Sequence, residues 1–167
     1  MTGIEQLCPS CGLCCDSTLF ADVELRASDK PARLSKLGLT LIKKTKTVTA
    51  FHQPCACFDG KLCTIYAERP KRCGLFVCGL LKRVDAGGMT AGAALKKILT
   101  AKRQAEKVRE LLHSLGQQDE QMALTHRYAE VMAEPMDLSK PEETERRGEL
   151  MLAVSGLMQL LEKDFLR

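Results

Sequence analysis

The distribution of cysteine residues constrains this chain more than any other feature. Nine cysteines occur in 167 residues; all lie at or before residue 78, and four fall within CPSCGLCCDST, residues 8–18. Nine is an odd number, and the N-terminal MTGIEQLCPS lacks the charged and apolar regions of a secretion signal. Both observations argue against a disulfide framework. We therefore expect a cytoplasmic protein whose thiols stay reduced and bind metal.

The spacing of the cysteines is typical of metal ligands. Thiolates are preferred by zinc and by iron–sulfur clusters, and a C-x2-C turn brings two sulfurs to one ion. This spacing occurs twice in succession, and a second group of cysteines lies between residues 57 and 78. Eight cysteines are enough for two four-sulfur sites. The predicted metal ligands are Cys8, Cys11, Cys14, Cys15, Cys57, Cys63, Cys73 and Cys78.

The adjacent pair Cys14 and Cys15 suggests how two metal positions are connected. Neighbouring side chains point apart in an extended backbone, so we expect the two sulfurs to serve different ions or a bridged pair of ions. The first half of the chain has few aromatic residues and the protein has no Trp, so its apolar core is small. A structural zinc site contributes about 10–16 kcal/mol of apparent binding free energy. We therefore favour two structural zinc ions.

Iron is the alternative metal. Cys8, Cys11 and Cys14 have the spacing of three ligands of a bacterial ferredoxin cluster, and Cys57, Cys63 or Cys73 could supply the fourth. Iron or an iron–sulfur cluster would suit electron transfer rather than a structural role. No Ser-His-Asp arrangement or carboxylate pair is recognisable, so the sequence leaves catalytic activity open.

The chain divides into a cysteine-rich half and a helical half, which predicts an α+β fold. Residues 1–84 are expected to form a small metal-stabilised module with short strands, including a helix that Gly38 ends and a strand over 43–51. After the glycine-rich linker at 85–88, residues 89–167 are expected to form a three-helix bundle. Its predicted segments are an amphipathic helix over 95–115 that Gly116 ends, a helix over 118–133, and a last helix opened by a capping box at Ser139–Glu142.

Charge separates within the helical half. Residues 81–117 carry a net charge of +5 and residues 118–167 a net charge of −5, which favours packing of a basic helix on acidic ones. A protein partner, if there is one, is expected to meet this helical half. The alternative is a nucleic-acid surface, which we do not expect because no aromatic residue interleaves the basic positions. Those positions are Lys96, Lys97, Lys102, Arg103, Lys107 and Arg109.

No apolar run approaches the roughly 20 residues of a membrane span, and the oligomeric state is not indicated.

Two motifs resemble those of a known family. Cys8-Pro-Ser-Cys11-Gly-Leu-Cys14-Cys15 resembles the opening of the CxxCxxCC, or YkgJ-type, cysteine cluster family, and Cys63-Thr-Ile-Tyr-Ala-Glu-Arg-Pro-Lys-Arg-Cys73 resembles its second signature, CxIYxxRPxxC. The resemblance covers about residues 5–80. It implies a zinc- or iron-chelating domain without an established activity. A flagellin lysine methylase is similar over its cysteine cluster, so a protein-lysine-methylase-like reaction is an enzymatic alternative.

The sequence departs from the family pattern at Cys55-Ala-Cys57, where it has two cysteines and the pattern has one. The resemblance implies Cys57 as the ligand, because Phe58 follows it at the right distance from Cys63. Cys55 is the alternative ligand. In the second signature, Pro70 is expected to fix a turn. Arg69 is expected to hydrogen-bond carbonyls or thiolates beside the metal.

Overall fold

The computed structural model describes residues 3–167, with side chains from Leu7 onward. The chain forms two compact units. The first contains the residues up to Val77 together with Gln121–Ala123. The second contains Cys78–Glu120 and Leu124–Arg167. In the described residues, no helix has both the length and the apolar character needed to cross a membrane.

The first unit is built on a three-stranded antiparallel sheet. Its strands are β1 (Asp22–Glu24), β2 (Ile42–Lys43) and β3 (Thr49–His52), in the order β1-β3-β2. Val23 lies opposite Phe51 in the register, and Phe51 is only 2% exposed. The central strand therefore supplies the aromatic side chain around which this small core packs.

The single strand predicted over residues 43–51 is wrong, because the chain turns in the middle of that segment. The backbone N–H of Lys44 donates to the carbonyl oxygen of Val48 at 2.9 Å. The Thr45 hydroxyl oxygen accepts from the N–H groups of Thr47 and Val48 at 3.3 and 3.1 Å. A threonine side chain that satisfies backbone donors in this way competes with strand pairing. The segment is therefore a hairpin that joins β2 to β3.

Short helices surround this sheet. They are α1 (Gly3–Cys11), α2 (Pro31–Lys36) and α3 (Lys71–Leu75), with a 3-10 turn at Tyr66–Glu68. Gly38, at φ +100°, follows α2, which confirms the predicted end of that helix. The buried core of the unit consists of Val23, Leu34, Leu39, Phe51, Cys55 and Cys57. Two of these six core residues are cysteines, so the metal-ligand candidates and the core share the same space.

The second unit is helical, and together with the sheet it confirms the α+β class. Its helices are α4 (Gly79–Asp85), α5 (Ala91–Ser114), α6 (Leu124–Ala133) and α7 (Pro141–Leu161), followed by a π-helical turn at Glu162–Leu166. The Thr90 hydroxyl caps α5 by accepting from the N–H of Ala93 at 3.2 Å. Gly116, at φ +89°, follows α5, as the sequence predicts.

The buried face of α5 is formed largely by small side chains. Its buried residues are Ala94, Ile98, Ala101, Ala105, Val108 and Leu112, whereas Leu95 and Leu99 are 44% and 50% exposed. Three alanines on this face let the neighbouring helix approach closely. Apolar periodicity identified the helix correctly, but small alanines rather than the largest apolar residues decided its orientation.

Two predicted helix starts are also wrong. The helix expected from residue 118 begins at Leu124, because the side-chain oxygen of Gln117 accepts from the N–H of Asp119 at 2.8 Å and holds a non-helical turn. The predicted capping box at Ser139 does not form. The Ser139 hydroxyl donates to Asp137 at 2.6 Å, and Lys140 is the N-cap of α7.

Candidate metal centre

The first cysteine motif combines a helix end with a tight turn. Cys8 and Cys11 lie on α1, three residues apart and so on one face of the helix. Gly12 has φ +76°, and its carbonyl oxygen accepts from the N–H groups of Cys15 and Asp16 at 2.8 and 2.9 Å. The Cys14–Cys15 pair therefore lies in a turn and not in the extended backbone that was expected from the sequence.

A backbone hydrogen bond connects this turn to the second group of cysteines. The N–H of Cys55 donates to the carbonyl oxygen of Cys15 at 2.8 Å. Residues 55–64 then fold back on themselves: Phe58 and Cys63 form an antiparallel bridge, and the N–H of Thr64 donates to the carbonyl of Cys57 at 2.9 Å. The chain after β3 thus brings Cys55 beside Cys15 and returns Cys63 to the same region.

Cys73 reaches this region from α3. The carboxylate of Asp29 accepts from the N–H of Lys71 at 2.9 Å and so holds the first turn of the helix. Both Cys73 and Cys15 pack against the buried core that contains Cys55. Cys15, Cys55, Cys63 and Cys73 are called the Cys15 group from here on.

The electrostatics of these thiols show that they are close enough to interact. The pKa of Cys15 is raised to about 12, mainly by burial, with the negative charges of Cys55, Cys63 and Cys73 contributing in the same direction. Burial likewise raises the pKa of Cys73 to about 12, with Cys55 and Cys63 contributing in the same direction. For Cys55 burial raises the pKa to about 11. Several thiolates would repel one another here, so a cation would stabilise their deprotonated forms.

Cys57 hydrogen-bonds through its side chain to the side chain of Cys55, and it also makes a contact with the core. Its side chain is almost completely buried, and its Sγ donates to the carbonyl oxygen of Leu37 at 3.6 Å. Burial raises the pKa of Cys57, and Cys63 adds to the effect. The contact with Leu37 gives Cys57 a place in the core that requires no metal.

Cys8 belongs to a second set of contacts, around Tyr66. Burial raises the pKa of Tyr66, and the charge of Cys8 and a hydrogen bond between the two side chains raise it further. Arg69 covers the Tyr66 ring, with its guanidinium carbon 3.7 Å from the ring centroid, and donates to the Tyr66 carbonyl oxygen. The predicted hydrogen bonding of Arg69 to a carbonyl is therefore confirmed.

The remaining predicted ligands lie at the ends of helices. Cys11 and Cys14 are half-buried on either side of the turn that ends α1. Cys78 is the first residue of the second unit and the N-cap of α4. Its role as a ligand stays a prediction.

The Cys15 group has the donor atoms that a metal site needs, and its four thiols lie near one another. All four donors are thiols, the type that zinc and iron prefer, and three separate segments bring them together. Their side chains do not converge on one point: among residues 7–167, no three Cys, His, Asp or Glu side chains are arranged to hold an ion. Binding would therefore require rotation of cysteine side chains about their Cα–Cβ bonds.

The comparisons with known proteins agree with the motifs. The model of the CxxCxxCC family, described as "Putative zinc- or iron-chelating domain", matches residues 7–91, just over half of the chain. No curated protein and no solved structure matched this chain. The match includes both cysteine groups and the Arg69–Pro70 signature, so the chain belongs to the CxxCxxCC family of cysteine-cluster domains.

Proposed function

We propose that the first unit binds a structural metal ion through Cys15, Cys55, Cys63 and Cys73. The hydrogen bond from the Cys55 N–H to the Cys15 carbonyl oxygen carries this proposal, because it holds the two cysteine groups together at the backbone. The raised thiol pKa values support it, since burial and, to a smaller extent, the neighbouring thiolates disfavour the deprotonated forms, which a bound cation would stabilise. This assignment replaces Cys57 with Cys55 in the ligand set.

Zinc is the metal that this donor set favours. Four thiolates form the closed tetrahedral site typical of structural zinc, with no open position for a substrate. Zinc would supply charge neutralisation and a cross-link between the turn after α1, the segment after β3, and α3. The protein contributes Asp29, which holds α3, and the core around Phe51, which fixes the segment that carries Cys55. Reduced thiolates also favour the cytoplasm as the location of the protein.

A second ion would use thiolates of the first motif. Cys8 and Cys11 lie on one face of α1, and Cys14 follows in the turn. With Cys15 bound at the first site, the adjacent pair would then serve two different ions. Arg69 and Tyr66 would lie beside Cys8, where the guanidinium would partly offset thiolate charge.

Metal analysis of matched variants tests these assignments. The protein is purified anaerobically, and its zinc, iron and labile sulfide are measured together with its visible spectrum. We expect about two zinc ions per chain, loss of one equivalent in Cys15→Ser and in Cys55→Ala, and no loss in Cys57→Ala. The last two variants remove the same atoms from positions only two residues apart, so each serves as the control for the other.

Three results would contradict the proposal. Loss of metal from Cys57→Ala with retention in Cys55→Ala would restore Cys57 as the ligand. Loss of no metal from Cys15→Ser would mean that the adjacent pair does not connect two sites. A brown protein with labile sulfide would replace structural zinc with an iron–sulfur cluster, and electron transfer or a methylase-like reaction would then be the function to test.

A further inference from the structure

The outer face of α7 is exposed and carries a large apolar side chain and a glycine. Leu152 is 77% exposed, the second most exposed of the large apolar side chains in the described residues. Gly156 lies one turn further along, and a Cβ added there would meet no atom within 4 Å. Glycine within a helix costs roughly 0.5–1 kcal/mol relative to alanine, and no contact within the described chain accounts for it here.

The exposed residues form a continuous stripe along α7 and the turn that follows it. The positions alternate by four and three residues, which is the spacing of a helix–helix seam. All six are exposed: Glu145, Glu149, Leu152, Gly156, Gln159 and Lys163. The opposite face of the helix is buried through Arg147, Leu150, Leu157 and Leu161. The stripe is therefore separate from the contacts that hold the second unit together.

The stripe is complementary to itself when two copies run antiparallel. A two-fold axis close to Val154 places Leu152 opposite the partner's Gly156, so that a large side chain faces a gap on the other helix. The same register places Glu145 opposite the partner's Lys163, and Glu149 opposite the partner's Gln159. Each of these pairings occurs twice, as an isologous interface requires.

We propose that the chain forms a homodimer through this face of α7, with a second copy of the chain as the occupant. Charge complementarity selects the antiparallel arrangement. A parallel pair in register would bring Glu145 and Glu149 against their own copies and create repulsion between like charges. The apolar contact is small, so the dimer is expected to be weak and sensitive to salt.

Charge reversal tests the register in the metal-loaded, full-length protein. Sedimentation equilibrium over a concentration series is expected to show dimerisation of the native chain. Glu145→Lys is expected to weaken association by roughly tenfold, because it replaces two attractive pairs with repulsive ones. The double variant Glu145→Lys, Lys163→Glu is expected to restore association. Leu152→Glu is expected to abolish it.

The rescue cannot arise within one chain. Eighteen residues separate Glu145 from Lys163, which places them roughly 25 Å apart along the helical segment. Glu110→Lys, an equivalent change at an exposed position of α5, is the control and is expected to leave association unchanged. Circular dichroism of each variant verifies that the helices are intact.

Three results would overturn the proposal. The first is a native chain that stays monomeric at every concentration. The second is a dimer that tolerates both Glu145→Lys and Leu152→Glu, because its interface would then lie elsewhere. The third is failure of the double variant to regain association, because the antiparallel register would then be incorrect.

Discussion

The ring of Phe58 occupies the space that a side chain at position 12 would need. A Cβ added to Gly12 would lie 2.6 Å from Cζ of Phe58, well inside van der Waals contact. Gly12 lies between Cys11 and Cys14, and Phe58 lies between Cys57 and Cys63. This one contact therefore packs the two cysteine motifs directly against each other.

Gly12→Ala is expected to destabilise the first unit by about 2–4 kcal/mol, from the cost of a left-handed conformation and of overpacking against Phe58. Gly60→Ala is the matched control. Gly60 also has positive φ, +93°, but no atom lies within 4 Å of its added Cβ. The control is expected to lose only about 1–2 kcal/mol. The urea dependence of amide hydrogen exchange in β3 measures the free energy of unfolding of both variants. Equal losses of stability in the two variants would show that the Phe58 contact contributes nothing.

Asp164→Ala is expected to destabilise the second unit. The Asp164 carboxylate is buried and accepts from Lys97 at 2.8 and 3.0 Å and from Arg83 at 3.2 Å. Both cations are about one-third exposed, so water offsets part of the loss, and we expect about 1–3 kcal/mol. Glu106→Gln, which removes an exposed partner 3.7 Å from Arg109, is expected to change stability by less than about 0.5 kcal/mol. Urea denaturation followed by circular dichroism compares the two; a loss below about 0.5 kcal/mol for Asp164→Ala would contradict the prediction.

Gly79→Ala is expected to displace the end of the chain from α4. A Cβ at position 79 would lie 1.7 Å from the carbonyl oxygen of Arg167, so one of the two backbones must move. Gly92→Ala in the first turn of α5 has open space and is expected to be neutral or stabilising by up to about 1 kcal/mol. Thermal unfolding and hydrogen exchange of the π-helical turn distinguish the variants. An unchanged exchange rate in Gly79→Ala would refute the close contact.

The metal-free protein is expected to lose stability as the pH rises above 9. The folded pKa values of Cys15 and Cys73 are about 12, compared with the ordinary value of 9.0. The folded chain therefore retains thiol protons that the unfolded chain loses, and this stabilisation is complete below pH 9 and disappears as the pH approaches 12. Urea midpoints of chelated protein at pH 7.5 and 10 measure the effect. Cys15→Ser should show a smaller decrease than the native chain; the same decrease would mean that Cys15 does not contribute.

Chelation is expected to unfold the first unit selectively. Its core is small and shares two residues with the cysteine cluster, whereas α5 and α7 pack through their own apolar face. Removal of metal should abolish hydrogen-exchange protection in β3 while the helical circular dichroism signal of the second unit persists. Retention of β3 protection after complete metal removal would show that the metal is not structural.

Local sequence information was sufficient for the family, the α+β class and the long helices. The cysteine spacings and the Arg69–Pro70 signature are contiguous motifs, and α5 is marked by apolar periodicity and a glycine after its end. These features depend on neighbours in the chain. Hence they could be recognised without knowledge of the fold.

Contacts between distant segments decided the rest. Spacing favoured Cys57 over Cys55 as a ligand, but in the fold the backbone N–H of Cys55 donates to the Cys15 carbonyl oxygen, whereas the Cys57 thiol donates to the Leu37 carbonyl oxygen. The alanine face of α5 likewise depends on which surfaces meet, whereas the hairpin inside the predicted strand is held by local hydrogen bonds to Thr45 and Val48. Sequence spacing identified the candidate metal ligands. Only tertiary packing, which buries some thiols together and separates others, decided which of them are neighbours.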